Sequence, residues 1–270
     1  MKILITGTKG FIGSNLLMEL QKKEKNSFLK INENFLGSEN WQTKLINKLN
    51  KFAPKVVFHV GACSDTLETN VQYMMTTNFE FTKCLVDWCV QNKVPIIYSS
   101  SAANYGSDGK LPSNLYAWSK YTAECYVNSN GGISLRYFNV YGPKEQHKGK
   151  MSSVIYQTIT HKKTSTEDFK LFPKKPLRDF VYVDDVVNAN IYAFKNYKKL
   201  KGDFYDVGSG NAEPFEKILE IVGINYHYYD ENQIPDGYQF YTCSNKKKWM
   251  TGWTPKFDLE AGINRYTNLI

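Results

Sequence analysis

The N-terminal segment constrains the fold more than any other part of the chain. Lys2–Thr6 form an apolar strand pattern, and a T-G-x-x-G-x-x-G turn follows before a predicted helix at Ser14–Lys23. Such a turn lets backbone N–H groups approach a pyrophosphate at the positive end of the helix. The sequence therefore predicts a dinucleotide-binding turn; the alternative is a structural turn without a cofactor. We expect the dinucleotide to contact Gly7, Gly10, Phe11, Ile12 and Gly13.

Apolar runs and helical patterns alternate along the first half of the chain. Further strands are predicted at Lys55–Val60, Pro95–Ser99 and Ile133–Tyr137, and further helices at Tyr73–Asn92 and Tyr116–Asn128. Strands this rich in Val, Ile and Phe indicate a parallel sheet covered by helices on both faces. The predicted fold class is α/β, a doubly wound, Rossmann-like parallel sheet with a smaller C-terminal substrate-binding lobe. Residues 1–137 and 179–207 are assigned to the dinucleotide-binding domain, and residues 138–178 and 208–270 to the substrate-binding lobe.

The stretch between Gly13 and Gly61 is short for two strands and their usual helices, so we expect a helix beside the adenosine pocket to be missing. Asn32 or Glu33 is placed to bind the adenosine ribose. Because Lys30 lies nearby, the choice between NAD and NADP stays open. A second cofactor contact is expected along Val60, Gly61, Ala62, Cys63 and Ser64, where Cys63 is a packed small residue rather than a nucleophile.

Composition narrows the possible partners. Hydrophobic residues make up 42% of the chain, enough for a folded core, and the formal net charge is +8. The basic residues are scattered without a nucleic-acid-binding motif, so we expect anionic small ligands and no nucleic acid. With no apolar run that could span a bilayer and no leader pattern, we expect no membrane contact and a cytoplasmic location. Five cysteines without metal spacing predict no structural metal.

A second motif supplies the predicted chemistry. Tyr116 and Lys120 are four residues apart, so both side chains lie on one helix face. A nearby ammonium and a bound positive nicotinamide can lower the tyrosine pKa from about 10 by roughly one to three units. Ser101, at the end of a predicted strand, can hydrogen-bond the reacting oxygen. Together with the glycine turn, these residues resemble the extended short-chain dehydrogenase/reductase family, and Arg136–Pro143 and Arg178–Val186 extend the resemblance over nearly the whole chain.

A narrower resemblance rests on Gly61–Thr66, Tyr73–Met75 and above all Pro143–Val154, which contains His147-Lys148-Gly149. These segments are similar to the ADP-L-glycero-D-manno-heptose 6-epimerases. The resemblance implies that Tyr116 and Lys148 act as two acid/bases, with Ser101 and Lys120 completing the catalytic set and Asn78 contacting the cofactor. It also implies substrate contacts from Ser101, Asn139, Lys150, Phe172, Lys174, Lys175, Arg178 and Tyr238.

This sequence departs from that pattern at the substrate side. Lys150 and Gln157 stand where a serine and a histidine are expected, and Pro173-Lys174-Lys175 replaces a more glycine-rich turn. The predicted function is a nucleotide-sugar epimerase, an isomerase of surface-carbohydrate biosynthesis that oxidises and re-reduces its substrate with bound NADP or NAD and is expected to form a homo-oligomer. The alternatives are a nucleotide-sugar 4-epimerase, dehydratase or reductase of the same family, or a dinucleotide sensor without activity. Ala102-Ala103 lacks the acidic pair of a dehydratase, and intact Ser101, Tyr116 and Lys120 oppose the sensor.

Overall fold

Strands and helices alternate through most of the computed structural model, which describes residues 1–107, 109–230 and 239–270. The strands are β1 (Lys2–Thr6), β2 (Ser27–Ile31), β3 (Val56–His59), β4 (Ile96–Ser101), β5 (Ile133–Tyr137), β6 (Asn139–Tyr141), β7 (Phe169–Leu171), β8 (Leu177–Tyr182), β9 (Phe204–Val207), β10 (Ala212–Pro214) and β11 (Tyr226–Tyr228). The helices are α1 (Phe11–Gln21), α2 (Trp41–Phe52), α3 (Val71–Met75), α4 (Phe81–Asn92), α5 (Leu115–Ser129), α6 (Val154–Thr164), α7 (Val183–Lys195), α8 (Tyr197–Leu200), α9 (Phe215–Val222) and α10 (Leu259–Thr267). A π-helical turn, Thr76–Glu80, joins α3 to α4 within the helix predicted at Tyr73–Asn92.

Six parallel strands form the central sheet in the order β2-β1-β3-β4-β5-β9. Side chains alternate across it, so Ile3 and Ile5 of β1 pack with α1 and α7 on one face, while Leu4 packs with α2, α4 and α5 on the other. Burial on both faces explains why the strands are apolar at nearly every position. The predicted doubly wound parallel sheet is confirmed.

The central sheet ends at β2. Dinucleotide-binding folds ordinarily place one more strand outside this position. Between Ile31 and Val56, a stretch that the structure describes throughout, the chain forms only the 3-10 turn Glu33–Gly37 and α2. In this described stretch α2 is the single α-helix, so a strand and one of its two flanking helices are absent. That the absent helix would have stood beside the adenosine pocket stays a prediction. The adenosine side of the sheet is consequently an open edge formed by β2.

Two small sheets, β10-β8-β6 and β11-β7, lie with α6, α9 and α10 around a separate aromatic core. Tyr141, Tyr182 and Tyr266 are almost completely buried there. Pairing of β8 with β6 and β10 brings residues 177–182 into the smaller sheet. The division of the chain into two lobes at the boundaries given above stays a prediction. Among the described residues, none of the helices has the length and apolar character needed to cross a bilayer.

Candidate active site

The glycine turn between β1 and α1 is shaped by contacts that exclude side chains. A Cβ atom on Gly13 would lie 2.2 Å from the carbonyl oxygen of Gly7, and one on Gly7 would lie 2.5 Å from the Cα of Gly61. Gly7 also has a φ of +68°, which favours glycine. The Thr6 hydroxyl fastens the end of β1 to the segment after β3 by accepting a hydrogen bond from the Gly61 N–H at 2.8 Å. The backbone of the glycine turn therefore packs directly against the backbone of Gly61, with no side chain between them.

The N-terminus of α1 is open to an anion. Gly10 is its N-cap, and within the described chain no side chain caps this end and no acid stands in the first turn. Unpaired N–H groups and the helix dipole at such an end bind phosphate. Since side chains are excluded from the turn and the helix end is uncapped, these residues fit a dinucleotide pyrophosphate.

Asn32 follows β2 at the expected adenosine side. Its amide oxygen accepts hydrogen bonds from the Lys9 N–H at 3.1 Å and the Thr8 hydroxyl at 3.3 Å, which tie this residue to the glycine turn. Glu33 begins the 3-10 turn that follows. Asn32 therefore lies at the edge of the glycine turn, where an adenosine ribose would be expected; which nicotinamide dinucleotide it favours stays a prediction.

Asn78 reaches the segment after β3 from the π-helical turn. Its side chain accepts a hydrogen bond from the Cys63 N–H at 2.8 Å and donates one to the Cys63 carbonyl at 3.0 Å. Asn78 also bonds the Ser119 hydroxyl at 2.8 Å. Burial raises the pKa of the Cys63 thiol, which favours a packed residue over a nucleophile. Asn78 therefore fixes the backbone of Cys63, in the segment where a cofactor contact was predicted.

A buried histidine at the end of β3 was missed by sequence reasoning. His59 Nδ1 is 2.8 Å from the Thr6 hydroxyl, and its Nε2 is 2.8 Å from the Thr82 hydroxyl. The Thr82 hydroxyl donates to the Asn78 carbonyl at 2.6 Å, so it accepts from Nε2–H of the histidine. Burial and the neighbouring Lys120 charge lower the pKa of His59 to about 3. A neutral histidine thus links β1, β3 and α4 behind the cavity.

Tyr116 lies in the first turn of α5, close to the end of β4. Asn114 fixes this turn by accepting a hydrogen bond from the Ala117 N–H at 2.8 Å. Burial raises the pKa of Tyr116, and a hydrogen bond from the Ser101 side chain lowers it. The predicted pair of Tyr116 and Ser101 is therefore brought into direct contact by the fold.

Lys120 is 3% exposed, one helical turn beyond Tyr116. Its Nζ atom lies 4.3 Å from the centre of the Tyr98 ring. Burial lowers the pKa of Lys120 to about 7, while the charge of Glu124 raises it. Its proton occupancy is therefore sensitive to changes near neutral pH.

Glu124 continues the same helix face and forms a buried ion pair with Arg136 of β5. The Arg136 Nη2 atom lies 2.5 Å from Glu124 Oε1, and the two side chains are 7% and 2% exposed. The carboxylate also accepts the Ser100 hydroxyl proton at 2.6 Å. Sequence reasoning missed this pair, although Glu124 lies four residues after Lys120, at the same spacing that separates Lys120 from Tyr116.

Lys148 belongs to the 3-10 segment Gln146–Met151 and approaches the cavity from another direction. Its Nζ atom lies 5.8 Å from the centre of the Phe11 ring. Burial lowers the pKa of Lys148, and the charge of Glu145 raises it. Tyr116 and Lys148, which are far apart in sequence, thus line one cavity.

This cavity has a volume of about 250 Å³ and joins most of the predicted cofactor and catalytic positions. The predicted residues that line it are Gly7, Gly10, Phe11, Ile12, Gly13, Asn32, Val60, Gly61, Ala62, Ser64, Tyr116, Lys120 and Lys148. Lining residues that were not predicted include Lys9, Asn34, Ser99, Ser100, Tyr137 and His147. Cys63, Asn78 and Ser101 are not among the lining residues. Asn78 bonds the backbone of Cys63, and Ser101 bonds Tyr116.

Apart from Ser101 on β4, the predicted substrate contacts described below lie on or next to the strands of the smaller sheets, and they do not line this cavity. Asn139 is on β6, and the 7% exposed Arg178 is on β8, where its guanidinium donates to the carbonyls of Leu177 and Gln239. Phe172 makes an edge contact with Tyr229. Lys174 and Lys175 have φ values of 63° and 44°, which explains why a glycine-rich turn suits this position. Tyr238 lies outside the described residues, and Lys150 is placed here only as part of the segment Gln146–Met151.

Comparison with known proteins identifies the family. The model of the NAD dependent epimerase/dehydratase family matches residues 3–208. The chain belongs to this family. The expected nicotinamide dinucleotide cofactor is thereby confirmed at the level of the family.

Individual relatives match over nearly their whole length. An ADP-L-glycero-D-manno-heptose-6-epimerase from Brachyspira hyodysenteriae is 32% identical over 99% of this chain and 97% of its own. The solved ADP-L-glycero-D-manno-heptose-6-epimerase of Helicobacter pylori is 30% identical, with a TM-score of 0.84 over 99% of this chain and 95% of that one. A Thermus thermophilus UDP-glucose 4-epimerase, solved with NAD, shares the fold at 24% identity, with a TM-score of 0.78 and coverage of 99% and 98%.

Proposed function

We propose that this protein is an epimerase that inverts C6 of an ADP-activated glycero-manno-heptose with a bound nicotinamide dinucleotide. The observation that carries the proposal is the presence of two proton-transfer groups, Tyr116 and Lys148, on one cavity beside the glycine turn. Inversion at C6 requires hydride to leave and return on opposite faces of the carbon, so the carbinol oxygen occupies two positions. Two proton-transfer groups from separate elements can serve those two positions. The resemblance to two ADP-heptose 6-epimerases over nearly the whole chain supports the same substrate class.

The residues of the glycine turn would hold the dinucleotide by its pyrophosphate, and Asn32 would lie beside its adenosine. When bound, the cofactor supplies a reversible hydride acceptor for the carbinol carbon. Tyr116 takes or returns the hydroxyl proton on one face, with Ser101 hydrogen-bonded to its phenol. In its charged form, Lys120, one helical turn from Tyr116, would favour the phenolate.

Lys148 serves the other face of the same carbon. Because burial lowers the pKa of its amine, a fraction of the side chain is neutral closer to physiological pH than an ordinary lysine would be, and it can exchange a proton with the substrate oxygen. The reaction has no net redox change. Asn139, Phe172, Lys174, Lys175 and Arg178 are proposed to hold the nucleotide and sugar from the smaller sheets. The homo-oligomer, the cytoplasmic location and the absence of a nucleic-acid partner stay predictions from the sequence.

Two variants test the assignment of the proton-transfer groups. Tyr116→Phe should bind NAD or NADP as the wild type does and lose most turnover, because only the ionisable oxygen is removed. Lys148→Met should keep cofactor binding and lower kcat for epimerisation by about 10²-fold or more, with a much smaller change in KM. The matched control is Lys163→Met, which removes an exposed lysine of α6 and should leave kcat unchanged.

Each outcome separates the alternatives. If Lys148 is only a phosphate contact, its replacement will raise KM and saturating substrate will restore turnover. A normal kcat in Lys148→Met together with an inactive Tyr116→Phe would refute the two-base assignment. That pattern would instead favour a one-base 4-epimerase or reductase acting on another nucleotide-sugar.

A further inference from the structure

One carboxylate closes both ends of the segment that carries Lys148. Glu145 Oε1 accepts a hydrogen bond from the Gly142 N–H at 3.1 Å, before the segment. After the segment, Ser153 donates its N–H to Glu145 Oε2 at 2.6 Å and its hydroxyl to Oε1 at 2.8 Å. The two oxygens of a single side chain therefore hold the entry and the exit of Gln146–Met151 together.

These hydrogen bonds of the Glu145 carboxylate, called the clamp below, are buried and connected to regular structure. Glu145 is 0% exposed, so no water can replace its hydrogen bonds to the three donors without rearrangement of the loop. Ser153 is also the N-cap of α6, because its hydroxyl accepts a hydrogen bond from the Tyr156 N–H at 3.1 Å. The backbone carbonyl of Glu145 accepts from the Lys148 N–H at 3.0 Å. Glu145 thus links the lysine backbone directly to α6 and to the end of β6.

The segment needs such a clamp because its backbone is irregular. Gly149 interrupts the 3-10 segment with φ 53° and ψ −124°, and Lys144 precedes it with φ 75°. Backbone in these regions costs free energy and persists only where surrounding contacts hold it. A buried carboxylate with three donors supplies those contacts.

The charge of Glu145 acts on the same amine. It opposes the effect of burial on the pKa of Lys148. The other charged or titratable side chains of the shared cavity are Lys9 from the glycine turn, Tyr116 and Lys120 from α5, Tyr137 from β5, and His147 from the segment itself. Glu145 is the acidic side chain that acts on Lys148 electrostatically, so it is the group whose removal should change the amine most.

We propose that Glu145 is a positioning residue that fixes the Lys148 amine against the substrate carbinol. The inference rests on the proposed function, because it assumes that Lys148 transfers a proton on one face of C6. It predicts that losing the clamp impairs only the face that Lys148 serves. A merely structural role would impair both faces alike.

The test uses the two C6 epimers of the ADP-heptose as separate starting substrates in single-turnover reactions, followed by the absorbance of the reduced nicotinamide. Lys148→Met first identifies the epimer whose oxidation depends on the lysine. Glu145→Gln places an amide N–H₂ against groups that donate, and it should slow the same epimer by at least about 10-fold, as expected for a misplaced acid/base. Oxidation of the other epimer should stay within about twofold of the wild type, since Tyr116 does not depend on the clamp.

A second, cofactor-free readout measures the amine itself. In the protein without dinucleotide or substrate, acetylation of Lys148 by an amine-selective reagent should be several-fold faster in Glu145→Gln, with Lys163 as the internal reference by mass spectrometry. Ser153→Ala removes one of the three hydrogen bonds to Glu145 together with the side-chain cap of α6. It should slow the same epimer selectively, but by a smaller factor than Glu145→Gln. If Glu145→Gln does not fold, the epimer-selective rates of Ser153→Ala test the role of Glu145 instead.

The possible results keep the two proposals distinct. Equal slowing of both epimers, or an unchanged labelling rate with neither epimer slowed, would overturn the role of Glu145. If Lys148→Met slows neither epimer selectively, the two-base proposal itself fails, whatever Glu145→Gln does.

Discussion

Lys120 is expected to make the stability of the protein depend on pH above neutrality. The side chain is 3% exposed, and burial lowers its pKa to about 7 from an ordinary value of 10.5. Between these pH values the unfolded chain binds a proton that the folded chain does not, so stability rises with pH. Below pH 7 the folded protein buries the charged amine at full cost. At about 1.4 kcal/mol per pH unit, the gain from pH 7 to pH 10 is about 4 kcal/mol.

Lys120→Met keeps most of the buried stem and removes the titrating group. Its stability relative to the wild type should therefore be highest near pH 7 and should fall by about 4 kcal/mol toward pH 10. His59, whose pKa is about 3, titrates outside this window. Urea unfolding of the cofactor-free proteins at several pH values measures the difference. Lys83→Met is the control, because Asp87 raises the pKa of that lysine. Parallel stability profiles for the wild type and Lys120→Met would refute the reasoning.

Two further substitutions test the frame of the site. Glu124→Gln leaves Arg136 buried without its ion-pair partner and should lower the free energy of unfolding by about 3–5 kcal/mol. Glu19→Gln breaks the exposed pair with Lys22 and should cost under about 0.5 kcal/mol. Equal losses in denaturant unfolding would contradict this. Gly13→Ala should abolish dinucleotide binding in calorimetry, because the added Cβ would collide with the Gly7 carbonyl oxygen. Gly37→Ala, whose Cβ would have nothing within 4 Å, should bind the dinucleotide normally. Retained binding in Gly13→Ala would refute the assignment of this turn as the dinucleotide site.

The sequence predicted the elements whose signals are local. β1 and β5 begin and end where their apolar runs do, and the spacing of Tyr116 and Lys120 on α5 was readable because helical neighbours are four residues apart. The glycine turn was readable for a similar reason, since its strand, glycines and helix are contiguous. These features need no knowledge of how distant segments meet.

Contacts between distant segments could not be predicted in the same way. β2 was missed because Ser27–Ile31 is only partly buried at the sheet edge and mixes polar with apolar residues. The pairing of His59 with Thr6 and Thr82, and of Glu124 with Arg136, depends on strands and helices brought together by the sheet. A single polar residue in an apolar segment gives no sign of its partner. Only the fold shows that His59 and Glu124 have hydrogen-bond and ion-pair partners.

The approach of Lys148 to Tyr116 illustrates the same limit at the site. Its predicted role came from resemblance in the segment Pro143–Val154, and nothing in the spacing of the chain places it beside α5. The structure adds both the shared cavity and the carboxylate of Glu145 behind the lysine.

The most direct test of the proposed activity is to incubate the purified protein with each C6 epimer of ADP-glycero-manno-heptose and follow the sugar by NMR. The two reactions should converge on the same mixture of epimers, without net oxidation or reduction of the nicotinamide cofactor. If neither heptose is converted while a nucleotide-hexose turns over, or if product forms in step with a net change in the cofactor, the protein is not a 6-epimerase of this substrate.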